Sequence, residues 1–241
     1  MDASHATDIG RTSLKLCSWN SRGHAADRVQ YLQGLVQRCD LLFVQETWLH
    51  DFELHKLTAN SRDELTVFGV SAMDPSQSLR GRPHGGCALL FRSQLSFSIS
   101  CVNVDCKCLF ACILNLPNMP KILLFNVYMP CDERYRTENT ERYEEILATI
   151  ESVMALHSDV DQVIIAGDFN TDPSRVRHSA HSPLLADFCA RNSMRLCLTV
   201  EGHGVDYTYE NEATGAYSIL DHFVVNEALL SSVVSYACIH E

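Results

Sequence analysis

The sequence predicts an α/β (α+β) protein in which mixed β-sheets are flanked by helices. Short apolar runs separated by turn residues dominate the chain, and several are apolar on successive positions, as strands covered on both faces require. Segments with helical spacing are fewer. Strand–helix–strand order at both ends, around hairpin-like meanders in the middle, points to mixed sheets with helices outside. With 241 residues, 46% of them apolar and 20% charged, the chain can bury a sizeable core, and one domain is the economical arrangement.

In chain order, 14–19 (LKLCSW) reads as a first strand and 25–38 as a helix with Val29, Leu32, Leu35 and Val36 on one face. Strands follow at 41–45, 65–70, 87–92, 95–102, 107–114 and 122–128. A helix covers 140–157, where Tyr143, Ile146, Leu147, Ile150, Val153 and Met154 recur at helical spacing with acids opposite. A strand at 163–167 precedes a helix at 183–191 that Ser182 can cap, and strands at 195–199 and 218–225 complete the pattern. Residues 1–12 are expected to be a disordered tail and 13–241 the folded domain.

The opening MDASHATDIGRTS has neither a basic region nor an apolar one, and no apolar run approaches the roughly 20 residues that span a bilayer. An intracellular protein without membrane partners is expected. The eleven cysteines lie mostly inside apolar runs, where a reduced thiol is a small buried hydrophobe. In CVNVDCKCLFAC, alternation would put Cys106, Cys108, Phe110 and Cys112 on one face, and the C-x-x-C spacing of structural zinc is missing. A net charge of -11 argues against generic coating of nucleic acid but leaves room for a local grip on phosphates. Basic stretches at Arg80, Arg82 and His84, at Arg134 and Arg136, and at Arg175, Arg177 and His178 each read singly as solvated loops.

Chemistry concentrates at strand ends. LKLCSWN delivers Asn20, DLLFVQE Glu46, KILLFNVY Tyr128, VIIAGDFN Asp168 and Asn170, and YSILDHFVV carries Asp221. Any one of these could be a turn former or a cap. Together they supply three carboxylates, two carboxamides and a phenol, and residues i and i+2 of an extended segment such as Asp168 and Asn170 face the same way. Hard oxygen donors of this kind suit magnesium and a phosphate, whereas zinc would want His and Cys. GRPHGG lacks the Lys-Ser/Thr of a nucleotide loop, so ATP is not implied.

CSWNSRG, LLFVQETWL, GGCALLF, FNVYMP, IIAGDFNTD and LDHFVV, in this order, resemble the endonuclease/exonuclease/phosphatase superfamily, and most of all the apurinic-type endonuclease domain of LINE-type non-LTR retrotransposons. The resemblance covers about residues 13 to 235. It implies a DNase I-like, four-layer sandwich of two packed mixed sheets with helices outside, and magnesium-dependent hydrolysis of phosphodiesters with manganese as a substitute. By matching motifs, Glu46 would be the main metal ligand with Asn20 in support. Asp168 would position or deprotonate the attacking water, Asn170 would hold it or the phosphate, and Tyr128 would hydrogen-bond the phosphate. Asp221 matches an Asp that orients a catalytic His, and Thr208 a family Thr. Tyr209, with Tyr207, could stack on bases or sugars, and Arg175 joins the substrate-binding set.

The partners implied are double-stranded DNA and a downstream reverse transcriptase, primed by the 3′-hydroxyl of the nick, with action in the nucleus. No Ser-Asp-His triplet, the family's last motif, occurs in the sequence. His222 should face away from Asp221 by alternation, and His240 lacks a preceding acid. The domain is therefore expected to lack its C-terminal edge strand and to cut poorly. Alternatives are another phosphoesterase of the superfamily, acting on inositol phosphates, sphingomyelin or RNA, or a non-catalytic DNA-binding relic. Phosphatases of this group usually carry Trp where Ala166 precedes GDFN, which favours the nuclease.

Overall fold

The computed structural model describes residues 13–59, 61, 64–74, 84–133 and 137–239, the side chains of 176–178 apart. The expected tail, Arg80, Arg82, Arg134, Arg136 and His240, and the side chains of Arg177 and His178, lie outside that set. Two mixed sheets pack face to face. The first contains β1 (Leu16–Asn20), β2 (Leu41–Gln45), β3 (Leu65–Val70) and β4 (Cys87–Arg92) in the order β1-β2-β4-β3. The second contains β5 (Ser98–Val102), β6 (Leu109–Asn115), β7 (Ile122–Tyr128), β8 (Gln162–Asp168), β9 (Met194–Leu196) and β12 (Asp221–Asn226) in the order β5-β6-β7-β8-β12-β9. A separate hairpin joins β10 (Tyr209–Asn211) to β11 (Ala216–Ser218). Helix α1 (Ala26–Arg38) covers the first sheet, and α2 (Thr137–Leu156) and α3 (His181–Arg191) cover the second; α4 (Glu227–Leu230) is a single turn.

Burial follows the period of two expected of a strand sandwiched on both sides. On β8, Val163 and Ile165 face the core under α2 and α3, while Ile164 and Ala166 face the core between the sheets. The inter-sheet core also holds Leu41, Phe43, Leu89, Cys112 and Leu124, and a third cluster packs Leu32, Leu35 and Val36 of α1 against Leu42, Val44 and Leu90. The result is the four-layer sandwich the resemblance implied.

One polar bridge crosses the apolar space between the sheets. Asn126 of β7 donates through Nδ2 to the carbonyls of Val44 (3.0 Å) and Ala88 (2.8 Å), and its Oδ1 accepts from Gln45 Nε2 at 2.7 Å. Gln45 Nε2 also reaches Ser18 Oγ at 3.2 Å, which adds β1 to the bridge. Both amides are sealed from solvent.

Element bounds at the edges depart from the sequence pattern. Leu95–Phe97 turn rather than extend, with Leu95 N–H bonded to Arg92 O, so β5 starts at Ser98 and not at 95. The strand expected at 195–199 breaks after Leu196 into a 3-10 turn that Thr199 closes by donating to Leu196 O. The run 218–225 splits into β11 and β12, because Leu220 leaves the ladder to accept from Phe169 N–H. Helix α3 starts at His181, and Ser179, not Ser182, accepts its first amides, from His181 and Ser182. Helix α2 runs 137–156 instead of 140–157. Cys106 and Cys108 precede β6 and join the core under α2, whereas Phe110 and Cys112 face the inter-sheet core, so the four do not share a face.

Asn126→Ala would strand the Gln45 amide and two carbonyls in an apolar interior. A loss of about 3 kcal/mol in urea-unfolding free energy is expected; an unchanged midpoint and slope would show that the bridge does not hold the sheets.

Candidate active site

Each sheet contains one parallel pair, and both pairs end at the same rim. Asn20 lies opposite Gln45 at the end of β1 and β2, and Tyr128 lies opposite Asp168 at the end of β7 and β8. Ligand sites in sheets form where parallel strands end. Here the two rims touch. Asn20 Nδ2 donates to Glu46 Oε1 of its own sheet at 2.7 Å and to Asp168 Oδ2 of the other at 2.8 Å.

Glu46 receives two side-chain donors, the Asn20 amide at 2.7 Å and the Trp48 indole N–H at 3.0 Å, and the Tyr128 phenol lies close enough to feel its charge. The backbone turns sharply to allow this. Arg22, Glu46, Trp48 and Asn170 all have φ between 47° and 55°, left-handed values that cost L-residues on the order of 1 kcal/mol each and cluster at functional sites. Their neighbours enforce the turns. Gly23 N–H bonds Glu46 O at 2.7 Å, Trp48 N–H bonds Gly85 O at 3.0 Å, and a Cβ on Gly23 would stand 2.2 Å from the Trp48 ring.

Asp168 is buried, with Oδ1 accepting from Asn170 N–H at 2.8 Å. Burial pushes its pKa up to about 6, against the pull of its bonds to Asn20 and Asn170. Asp221 stands directly across the ladder from Asp168. Its pKa is driven well above the carboxylate range by burial and then by the Asp168 charge, although the Thr208 hydroxyl opposes the shift. Asp221 Oδ1 has no hydrogen-bond partner among the described residues. Burial, and next the Glu46 charge, raises the Tyr128 phenol, which stays protonated and able to donate.

A family model described as "Endonuclease/Exonuclease/phosphatase family" matches residues 17–240. The chain belongs to this family. No curated protein matches the sequence. The fold is similar to that of several solved members. An AP endonuclease from Leishmania major is 15% identical over 90% of this chain and 80% of its own, with a TM-score of 0.73. The endonuclease domain of TRAS1, a telomere-specific non-LTR retrotransposon, is 13% identical over 91% and 88%, with a TM-score of 0.61. The 3′ phosphatase NExo from Neisseria, bound to a product DNA hairpin, is 17% identical over 91% and 89%, with a TM-score of 0.63. Members of the family are hydrolases, nucleases and phosphatases among them.

Of the residues expected from family motifs, Asn20, Glu46, Tyr128, Asp168 and Asn170 converge, with Asp221 and Thr208 behind Asp168. Asn20 departs from the ligand role in one respect: its nitrogen faces the two carboxylates, while Oδ1 accepts from Arg22 N–H at 2.9 Å. It bridges the acids in this arrangement. Asn170 points Nδ2 at Met129 O (2.8 Å), and its Oδ1 lies 3.6 Å from the Cys131 thiol. Thr208 Oγ1 accepts from the amides of Leu220 and Asp221, which sets the start of β12. Tyr209 lies under the Arg22 guanidinium. Arg175 donates to Tyr217 O and pairs with Asp172 at 3.4 Å, bracing the β10–β11 hairpin. His222 is buried and reaches Thr171 O at 2.9 Å, away from Asp221.

Sequence reasoning missed Trp48 and Arg22. Both lie in quoted motifs, QETWL and CSWNSRG, but left-handed turns, which leave no apolar pattern, set their directions.

Because the folded Asp168 carboxyl titrates near 6 instead of 3.8, the folded state holds a proton that the unfolded state releases. The stability it contributes is present below about pH 4 and lost as pH rises through 6. In EDTA, wild type should lose on the order of 2 kcal/mol relative to Asp168→Asn between pH 4 and 7. Parallel stability curves in urea would contradict this.

Proposed function

We propose that the chain is a divalent-metal-dependent endonuclease that nicks double-stranded DNA and leaves a 3′-hydroxyl, of the kind that starts reverse transcription in LINE-type elements. The observation that carries this reading is the Asn20 bridge between Glu46 and Asp168. It brings two carboxylates from different sheets to one amide beside a protonated phenol. The donor set fits magnesium: one or two protein carboxylates, water and substrate oxygens complete its octahedron. No group of three or more His, Cys, Asp or Glu placed to hold a metal ion occurs among the described residues, so a cation here would rest on fewer protein ligands, with water and substrate oxygens completing its shell.

Glu46, oriented by the Asn20 amide and the Trp48 indole, would hold the metal, with Asn20 beside it. When bound, the metal would neutralise charge on the phosphate as attack proceeds. The residues of the chain do the rest. Asp168, held between Asn20 and the amide of Asn170, is oriented to take a proton from water attacking phosphorus, and its pKa near 6 leaves it mostly ionised at neutral pH. Tyr128 donates to a non-bridging phosphate oxygen as negative charge builds there. The P–O3′ bond breaks, and its oxygen leaves as the 3′-hydroxyl. Burial and the facing Asp168 charge push the Asp221 carboxyl well above its usual range, which disfavours a second negative charge there. The leaving O3′ takes up a proton from solvent water.

The test is nicking of supercoiled plasmid, with a soluble inositol phosphate as counter-substrate. EDTA-sensitive nicking is expected, reduced by about 100-fold or more in Glu46→Ala. Nicking indifferent to EDTA or to Glu46→Ala, or turnover of the inositol phosphate alone, would overturn the reading.

A further inference from the structure

The loop that follows β1 projects one cation toward the acid cluster. Arg22 has a left-handed backbone, φ 47°, fixed at both ends: its N–H donates to Asn20 Oδ1 at 2.9 Å, and its carbonyl accepts from Arg28 of α1. Its guanidinium lies over the Tyr209 ring, with Cζ 5.2 Å from the centroid. This contact joins residue 22 to the β10–β11 hairpin nearly 190 residues later in the chain. The charge of Arg22 acts on both Asp168 and Asp221.

The guanidinium forms no hydrogen bond and no ion pair among the described residues. This contrasts with Arg175, whose donors are used on Tyr217 and Asp172, and with Arg195, which pairs with Glu227 at 3.0 Å. Arg22 lies over the Tyr209 ring in a cation–π contact that helps to hold the guanidinium. Its five N–H donors lie along the edges of the fork and stay available. A planar cation held over a phenol, with unused donors beside a cluster of carboxylates, is matched to a ligand that carries paired anionic oxygens. A phosphodiester is such a ligand, and the fork geometry of Arg binds it through two oxygens.

From this arrangement we propose that Arg22, clamped on Tyr209, is a phosphate-binding residue of the cleft that grips a backbone phosphodiester of the bound DNA strand. The proposal rests on the nuclease reading for its substrate class, but its own geometry requires no metal. The clamp also gives the hairpin a role: Tyr209 holds the guanidinium in place, and Arg175 braces the hairpin from its other strand through the Tyr217 carbonyl.

The experiment measures binding of a fluorescein-labelled DNA duplex by fluorescence anisotropy in EDTA across a salt series, with single-turnover cleavage in magnesium alongside. Arg22→Ala is expected to weaken binding about tenfold and to reduce the salt slope by about one released ion. Arg22→Lys should restore the slope but not the full affinity, because a point charge lacks the fork. Arg195→Ala removes the same charge at the β9 edge and should leave the slope within error of wild type. An Arg22→Ala protein whose affinity and slope equal those of wild type overturns the proposal even if wild type cleaves DNA. A slope that falls equally in Arg195→Ala also overturns it, since net charge alone would then account for the change. Metal-free binding that depends on Arg22, in a wild type that does not cleave, supports the proposal while defeating the nuclease reading; a wild type that binds no DNA overturns both. Circular dichroism of each variant confirms that the fold is intact.

Discussion

The site depends on the amide bridge between Gln45 and Asn126. Much of the packing between the sheets is made by alkyl and aromatic side chains, which tolerate small slips because dispersion has no direction. Hydrogen bonds from Asn126 to two carbonyls and from Gln45 to Asn126 and Ser18 do have direction, and burial makes each expensive to break. Gln45 is the residue before Glu46, and Asn126 is two residues before Tyr128. Fixing this pair therefore fixes where the two rims meet, and lets Asn20 of one sheet reach Asp168 of the other.

The same placement carries an electrostatic cost. Glu46, Asp168 and Asp221 crowd into a region where burial penalises charge. The response is a raised Asp221, an Asp168 shifted to about 6, and the Asn20 amide and Trp48 indole set against Glu46. Left-handed residues around the cleft add strain of the kind that a structure retains when function demands a particular direction. An arrangement held at this expense suits a ligand that brings positive charge to the acids and anionic oxygens to Tyr128 and Arg22.

The buried parts of this fold were legible in the sequence. The strands 41–45, 65–70, 87–92 and 122–128 match their apolar runs residue for residue, and three of them, β2, β4 and β7, are central strands, which are apolar over most of their length. Edge and terminal elements were less legible: a 3-10 turn after Leu196 and the break at Leu220 are set by single backbone hydrogen bonds that composition does not encode. At the candidate site, the residue types and their strand-end positions pointed to Asn20, Glu46, Tyr128, Asp168, Asn170 and Asp221, which the fold brings to one rim. Their directions were not readable. The orientation of the Asn20 amide follows from the Arg22 N–H, the Trp48 indole reaches Glu46 only through a turn of positive φ, and Arg175 is used within the fold.

Binding of manganese, followed by loss of the free-ion signal in electron paramagnetic resonance, tests most directly whether residues from the two sheets form one cation site. One bound ion per chain is expected in wild type, abolished in Glu46→Gln of the first sheet and weakened about tenfold or more in Asp168→Asn of the second. Binding that survives Glu46→Gln, or that is indifferent to Asp168→Asn, would contradict a site shared across the sheets.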